Sequence, residues 1–285
     1  MLHGYTQSGP LFHAKSRALV KHLTKAFSAT HEVAAIYPTG PLRLDPADIP
    51  GYEPPAANSN GSNEEHPTPD APEAYGWFRR SNTANPPLYM GLDEGLAAIA
   101  KVLKEEGPFD GVIGFSQGAA MAAMVASLLE GGVRKEAFEK AKAKGLGLGD
   151  AGDAGDKEGV FGYPTTFEEL GHPPLKFAVC YSGFRSPGAR YRGFYEEPGV
   201  QTPVLHVLGT LDAVVEESRS RSLIEACVGD PEAEGKVVWH PGGHFLPSQR
   251  PYLDAAVRFI RESVEEKKGK AGDKEEDVND MDLPF

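Results

Sequence analysis

The chain has 285 residues, with 41 acidic against 29 basic side chains and a formal net charge of −12. That balance argues against a nucleic-acid surface, which wants a basic face, and the length admits one large α/β domain or two small ones. With 40% hydrophobic residues the chain can bury a substantial core, yet no apolar run approaches the roughly 20 residues that span a bilayer.

At the amino end, Met1-Leu2-His3-Gly4-Tyr5 puts a glycine-bracketed turn where a loose chain tip is expected. Ser8 to Phe27 reads as a helix, with Leu11, Phe12, Leu19, Val20 and Leu23 at helical spacing. Glu32–Pro38 (EVAAIYP) is a short apolar run stopped by proline, a strand by its length. Residues 45–75, rich in Pro, Asn and Glu, have no periodicity and read as a long loop. Asn60-Gly61-Ser62 inside it is a formal glycosylation acceptor, but no basic-then-apolar leader is visible, so a cytoplasmic location is expected. Leu88 to Glu106 is amphipathic and ends at Gly107-Pro108, a strong stop signal.

Phe109–Ser116 (FDGVIGFS) reads as a buried strand, and Gln117–Glu130 as a helix ended by Gly131-Gly132. Residues 131–175 read as a second long loop, a Lys/Ala-rich helical stretch followed by GLGLGDAGDAGDKEG. Gly147, Gly149 and Gly152 formally spell G-x-G-x-x-G. A dinucleotide fingerprint follows a strand and opens a helix, however, and here a helical stretch precedes it and acidic sequence follows. No cofactor is expected. Three further strands, Lys176–Phe184, Pro203–Asp212 and Lys236–His244, run into loops, with helical segments near Glu216–Cys227 and Pro251–Lys267. Residues 266–285 read as an acidic, disordered tail.

Strands alternating with helices predict an α/β domain over residues 1–265, a mostly parallel sheet with helices on both faces. Ligands bind such sheets outside the carboxyl ends of the strands. That rule singles out Ser116, Ser182, Asp212 and His244.

Gly114-Phe115-Ser116-Gln117-Gly118 fits G-x-S-x-G between a strand and a helix, the setting of a nucleophile elbow. Its glycines answer to the tightness of the turn, where a β-carbon would clash. A serine at its ordinary pKa is a poor nucleophile and needs a base that is itself oriented by an acid. In this fold class the chain order is serine, acid, histidine. Asp212 ends one later strand, and His244 follows the next, after a Gly-Gly pair that lets its loop turn back over the sheet. His240 competes but lies nearer its strand, where a histidine reads as core; Glu216 and Glu217 are weaker substitutes for Asp212. Acyl transfer also needs backbone N–H groups aimed at the oxyanion. The candidates are Gln117, after the nucleophile, and Tyr5, after His3-Gly4. Cys180 and Cys227 read as buried thiols, and nothing has metal-ligand spacing.

LHGYTQSG, GFSQGAA, YSGF, GTLD and HPGGHFLP, in that order, resemble the fungal FSH1-type serine hydrolases, related to the OVCA2 hydrolase, from Met1 to about Glu265. The resemblance implies an α/β-hydrolase fold, a Ser116–Asp212–His244 triad, and esterase or thioesterase activity. The implied substrate is a small-molecule acyl ester or thioester, or a carrier-bound acyl chain. It also implies that Trp77, Phe78, Ser182 and Phe184 lie near the pocket. His3 and Phe245 join them as candidates, and the aromatic set suggests an apolar acyl site. A carboxylesterase or acyl-protein thioesterase shares His-Gly and GFSQG, and a non-catalytic binding module on the same scaffold is the alternative from another class. The family has a full strand before its His-Gly, where this sequence has Met1-Leu2. Either the sequence begins late in that strand, or the helix from Ser8 and nearby loops hold the turn.

Overall fold

The structure, a computed structural model, describes residues 1–45, 49, 73–146 and 159–265. The G-x-G-x-x-G at 147–152, the Asn60 acceptor, most of the 45–75 loop and the 266–285 tail lie outside the described residues. In chain order come α1 (Gly9–Phe27) and the two-residue strands β1 (Leu42–Arg43), β2 (Tyr75–Gly76), β3 (Arg79–Arg80) and β4 (Tyr89–Met90). Next are α2 (Leu92–Glu106), β5 (Gly111–Phe115), α3 (Gln117–Leu128), α4 (Gly132–Lys144) and α5 (Thr165–Glu168). The last are β6 (Phe177–Tyr181), β7 (Val204–Gly209), α6 (Glu217–Glu225), β8 (Val237–His240) and α7 (Arg250–Glu265).

β5, β6, β7 and β8 pair in that order, all parallel. The pleat sends alternate residues to opposite faces. Val112, Ala178, Cys180 and Val204 meet α2 and α3, while Ile113, Val179, Leu205 and Val207 meet α1 and α7. Ser8 caps α1, its hydroxyl accepting from the Leu11 N–H at 3.4 Å, and Phe12, Leu19, Leu23 and Phe27 form its buried stripe. α3 is buried along its whole length, which its alanines permit. This is the α/β-hydrolase arrangement, with Ser116 at the carboxyl end of β5.

Three readings of the sequence need correction. The 88–106 helix starts only at Leu92: Tyr89–Met90 pairs with Arg79–Arg80, and Gly91 takes φ 76° at the junction. Within residues 131–175 the Lys/Ala-rich stretch read as helical is α4, which buries Arg134, Ala137, Phe138 and Ala141, and α5 adds a further turn, so the segment is not a loop throughout.

Glu32–Pro38 forms no strand. A strand exists only beside a partner about 4.8 Å away. Between these residues and β5 lies an apolar cavity of about 530 Å³, lined by Val33, Ile36, Leu103, Ile113 and Ile260 among others. Among the described residues, only Leu2 bridges to β5 on this edge, opposite Gly114, through bonds to Ile113 and Phe115 of 2.8 and 3.1 Å. The Met1 amino group donates to the Ile36 carbonyl at 3.1 Å, and burial lowers its pKa to about 5.

Among the described residues, the sole fully buried arginine ties α4 down. Arg134 donates to the carbonyls of Gly193, Pro198 and Gly199 at 3.2, 2.9 and 2.9 Å and pairs with Glu130 at 2.7 Å. Glu130 in turn accepts from the Gln201 and Thr202 amides at 2.7 and 2.9 Å. Breaking a buried pair from one side leaves a charge without its partner. Arg134→Met should therefore cost about 3–5 kcal/mol in urea unfolding. Adding Glu130→Gln should recover part of that loss; no recovery would show that the carboxylate is not what suffers.

Candidate active site

Ser116 joins β5 to α3 at φ 54° and ψ −117°, a backbone conformation that side-chain-bearing residues avoid. The surroundings hold it there. Its N–H donates to the Tyr181 carbonyl of the neighbouring strand at 2.8 Å, and its own carbonyl accepts from Ala119 and Ala120 at 2.9 and 3.1 Å. A β-carbon at Gly114 would stand 2.1 Å from the Gly118 carbonyl oxygen. One at Gly118 would stand 2.1 Å from the Leu2 carbonyl oxygen and 2.4 Å from that of His3. Both glycines of the motif are thus required by backbone contact.

The Ser116 hydroxyl lies 2.9 Å from His244 Nε2, and His244 Nδ1 lies 2.8 Å from Asp212 Oδ2. With the imidazole neutral, Nδ1 donating to the carboxylate leaves Nε2 free to accept the serine proton. The other Asp212 oxygen accepts from the Val214 and Val215 amides, both at 2.9 Å. Burial works against the charge, but those amides and His244 together hold the Asp212 carboxyl below the usual carboxylate range. It stays ionised at neutral pH.

His240 is elsewhere. It is buried at the end of β8, its Nε2 unpartnered among the described residues, with burial lowering its pKa against the pull of Asp212. Glu216 precedes α6, and Glu217 pairs with Arg221 at 2.6 Å.

A brace that the sequence did not disclose joins the two segments carrying the expected oxyanion donors. The Gln117 side chain accepts from the Trp77 N–H and donates to the Phe78 carbonyl, both at 2.7 Å. The Trp77 indole donates to the His3 carbonyl at 2.9 Å. A β-carbon at Gly76 would stand 3.0 Å from the Tyr5 ring and 3.3 Å from Gln117 Oε1, so Tyr5 and Gln117 flank one glycine. His3 packs against Trp77 with ring centroids 4.9 Å apart. Its Nε2 accepts from the Gly40 N–H at 2.8 Å, which assigns the proton to Nδ1, donated to the Gly4 carbonyl at 2.7 Å.

The matching family model covers residues 1–256 and describes a serine hydrolase (FSH1). The chain belongs to the FSH1 serine hydrolase family. Among its relatives, the fission-yeast protein named dihydrofolate reductase is 32% identical over 266 residues, 91% of this chain and 46% of that one. Zebrafish esterase OVCA2 is 30% identical over 268 residues, covering 90% of this chain and 95% of its own. Family of serine hydrolases 3 from baker's yeast is 31% identical over 264 residues, covering 92% and 82%. The chain therefore spans about half the length of the first of these relatives and nearly all of the second. Among solved structures, maize acyl-protein thioesterase 2 superposes with a TM-score of 0.49 at 18% identity, over 92% of this chain and 91% of that one.

Within this FSH1-family site, the expected pocket residues separate. His3, Trp77, Phe78 and Ser182 are buried and present almost no surface to a ligand. Trp77 and Phe78 are corrected from pocket wall to brace, because their backbone and indole groups are consumed in holding Gln117 and His3. Phe184 is also buried, whereas Phe245 is 44% exposed. Cys180 is buried and Cys227 half-buried; burial raises both thiols, Cys227 to about 12, so neither is a ready nucleophile. Among the described residues, no three His, Cys, Asp or Glu side chains gather as metal ligands, and no helix is long and apolar enough to cross a membrane.

Burial lowers the His3 pKa to about 4, against the Gly4 carbonyl, and that of His206 to about 3. The unfolded chain protonates both near pH 6.5, so stability is complete above that pH and falls as pH drops toward 4. His3 alone should account for about 2 kcal/mol of the loss between pH 7 and 5. Urea unfolding of His3→Gln should show a correspondingly flatter pH dependence; an unchanged slope would mean that His3 protonates freely in the fold.

Proposed function

We propose that this FSH1-family chain is a serine esterase or thioesterase that works through an acyl-enzyme on Ser116. The observation that carries the reading is the continuous chain of contacts from Ser116 through His244 to Asp212. His244 takes the Ser116 proton as the oxygen attacks the acyl carbon, and then passes it to the leaving alcohol or thiol. Asp212 keeps the imidazole in the required tautomer and stabilises the imidazolium that forms. The N–H groups of Gln117 and Tyr5 receive the oxyanion, at the start of α3 where the helix dipole favours negative charge. Water then attacks the acyl-enzyme with His244 as base. Esters and thioesters fit this machinery better than amides, whose leaving group is poorer.

An apolar acyl or alcohol group is the favoured ligand. Leu211, Val214 and Phe245, on the two loops that carry Asp212 and His244, are 71%, 64% and 44% exposed. Large apolar side chains left in solvent beside a reactive group suit an apolar ligand. That the zebrafish relative is named an esterase agrees with this reading.

The test is turnover of p-nitrophenyl esters and matched acyl thioesters from acetyl to palmitoyl. Ser116→Ala and His244→Ala should each lose about 10⁴-fold or more in kcat, and Asp212→Asn about 10⁴-fold. His240→Ala should retain far more activity than His244→Ala. Near-normal turnover by Ser116→Ala would refute the assignment, and a flat profile across acyl chains would refute the apolar site.

A further inference from the structure

β8 ends on a histidine that the proposed mechanism does not use. His240 is 2% exposed, and its Nε2 is buried with no partner among the described residues. A buried polar atom left in that state costs stability and calls for a physical reason. Since that nitrogen fastens nothing, the reason lies in what the ring touches.

The ring stands where the loops carrying Asp212 and His244 leave the sheet. The His240 carbonyl accepts from the Thr210 N–H at 2.9 Å and the Gly242 carbonyl from the Leu211 N–H at 3.0 Å, so β7 and β8 stay laced together past their ends. Asp212 is the next residue after Leu211. A β-carbon at Gly209 would stand 2.5 Å from the carbonyl oxygens of both Gly242 and Gly243, and 3.1 Å from His240 Cε1. One at Gly242 would stand 2.4 Å from the Phe245 ring and 3.0 Å from His240 Nδ1. The imidazole thus lies against the backbone of the β7 end and of the turn after β8 at once.

Those contacts pass to the residues on either side of the base. The Phe245 N–H donates to the Gly243 carbonyl at 3.0 Å, closing a three-residue turn with His244 at its centre. The Phe245 ring lies 5.0 Å from the His240 ring, and Tyr252 of α7 backs the imidazole at 5.7 Å. Gly242 and Gly243 give the turn its freedom and nothing to stiffen it.

We propose that His240 is a positioning residue: its ring fills the space between Gly209, Gly242, Phe245 and Tyr252, and so sets the approach of His244 to Asp212 and to Ser116. This adds a fourth residue to the esterase reading and rests on that reading for the reaction assayed.

His240→Ala empties the space, and His240→Asn replaces it as the test if the alanine variant does not fold. Ester hydrolysis is expressed per site labelled to completion by a fluorophosphonate, so that unfolded chain does not enter kcat. A misplacement of about 1 Å in a relay costs on the order of 10²-fold, so His240→Ala should lose about 10- to 100-fold in kcat with KM within about threefold. Fluorophosphonate labelling should slow by a similar factor, and the low-field resonance of the His244 Nδ1 proton should shift or broaden. Of His240→Phe and His240→Gln, which refill the space, at least one should recover most of kcat. Phe138→Leu, which opens a buried space on α4 outside the relay loops, should keep kcat per labelled site. Labelling that slows in His240→Ala while the unaltered protein hydrolyses no ester would keep the positioning role and sink the esterase reading. Unchanged kcat and labelling rate in His240→Ala, a loss carried by KM alone, or no recovery by either refilling variant would overturn the positioning role.

Discussion

At Gly118 the backbone of the first residues and the first turn of α3 come so close that a β-carbon would stand 2.1 Å from the Leu2 carbonyl oxygen. The rest of the site depends on that approach. It sets the His3-Gly4-Tyr5 turn beside the start of α3, where a β-carbon at Gly118 would also stand 2.4 Å from the His3 carbonyl oxygen. Gly114 serves the same purpose from the strand side, where a β-carbon would meet the Gly118 carbonyl. Between them Ser116 takes φ 54°, a conformation maintained by the Tyr181 carbonyl and the opening turn of the helix. Strain of order 1–3 kcal/mol at such a residue persists only where the surroundings over-determine it, and here two glycines and a neighbouring strand do so.

Buried polar groups in this protein fall into two kinds. In one, the charge meets its complement within the fold: Arg134 spends its two Nη groups on three carbonyls and Glu130, and that cluster fastens α4 to residues 193–202. The other kind is left poised. Asp212 is ionised and fixed by two amides, His244 bridges it to Ser116, and nothing further saturates the serine oxygen among the described residues. His3 is kept neutral by burial and joins the brace through its ring nitrogens rather than through charge. Order at the site comes from neutral hydrogen bonds in the brace, and the ionised Asp212 carboxylate stands at the far end of the contacts that run through His244 to Ser116.

Much of this was legible in the sequence because it answers to local constraints. GFSQG encodes a strand, a turn without room for β-carbons and a helix start within five residues. Asp212 and His244 stand where strands end, which is where a parallel sheet presents chemistry. What could not be read locally depended on distant partners. The Gln117 amide is matched to Trp77 and Phe78 forty residues away, and no periodicity marks such a match. Those two aromatics read as pocket wall because composition carries no information about which side of a ring is sealed. Glu32–Pro38 has a strand's composition but no adjacent ladder, and pairing rather than propensity decides. Arg134 sits in a charged, loop-like stretch; only the carbonyls of 193–199 make it core.

The central claim is that Ser116 is the one residue activated for acyl transfer, through His244. Reaction with a fluorophosphonate, followed by intact mass and peptide mapping, tests it most directly, because the adduct records which oxygen attacked. The account predicts a single adduct, on the peptide carrying Ser116, that forms with the unaltered protein and is lost in His244→Ala. Labelling that survives His244→Ala at its full rate, or that falls on another residue such as Ser182, would contradict it.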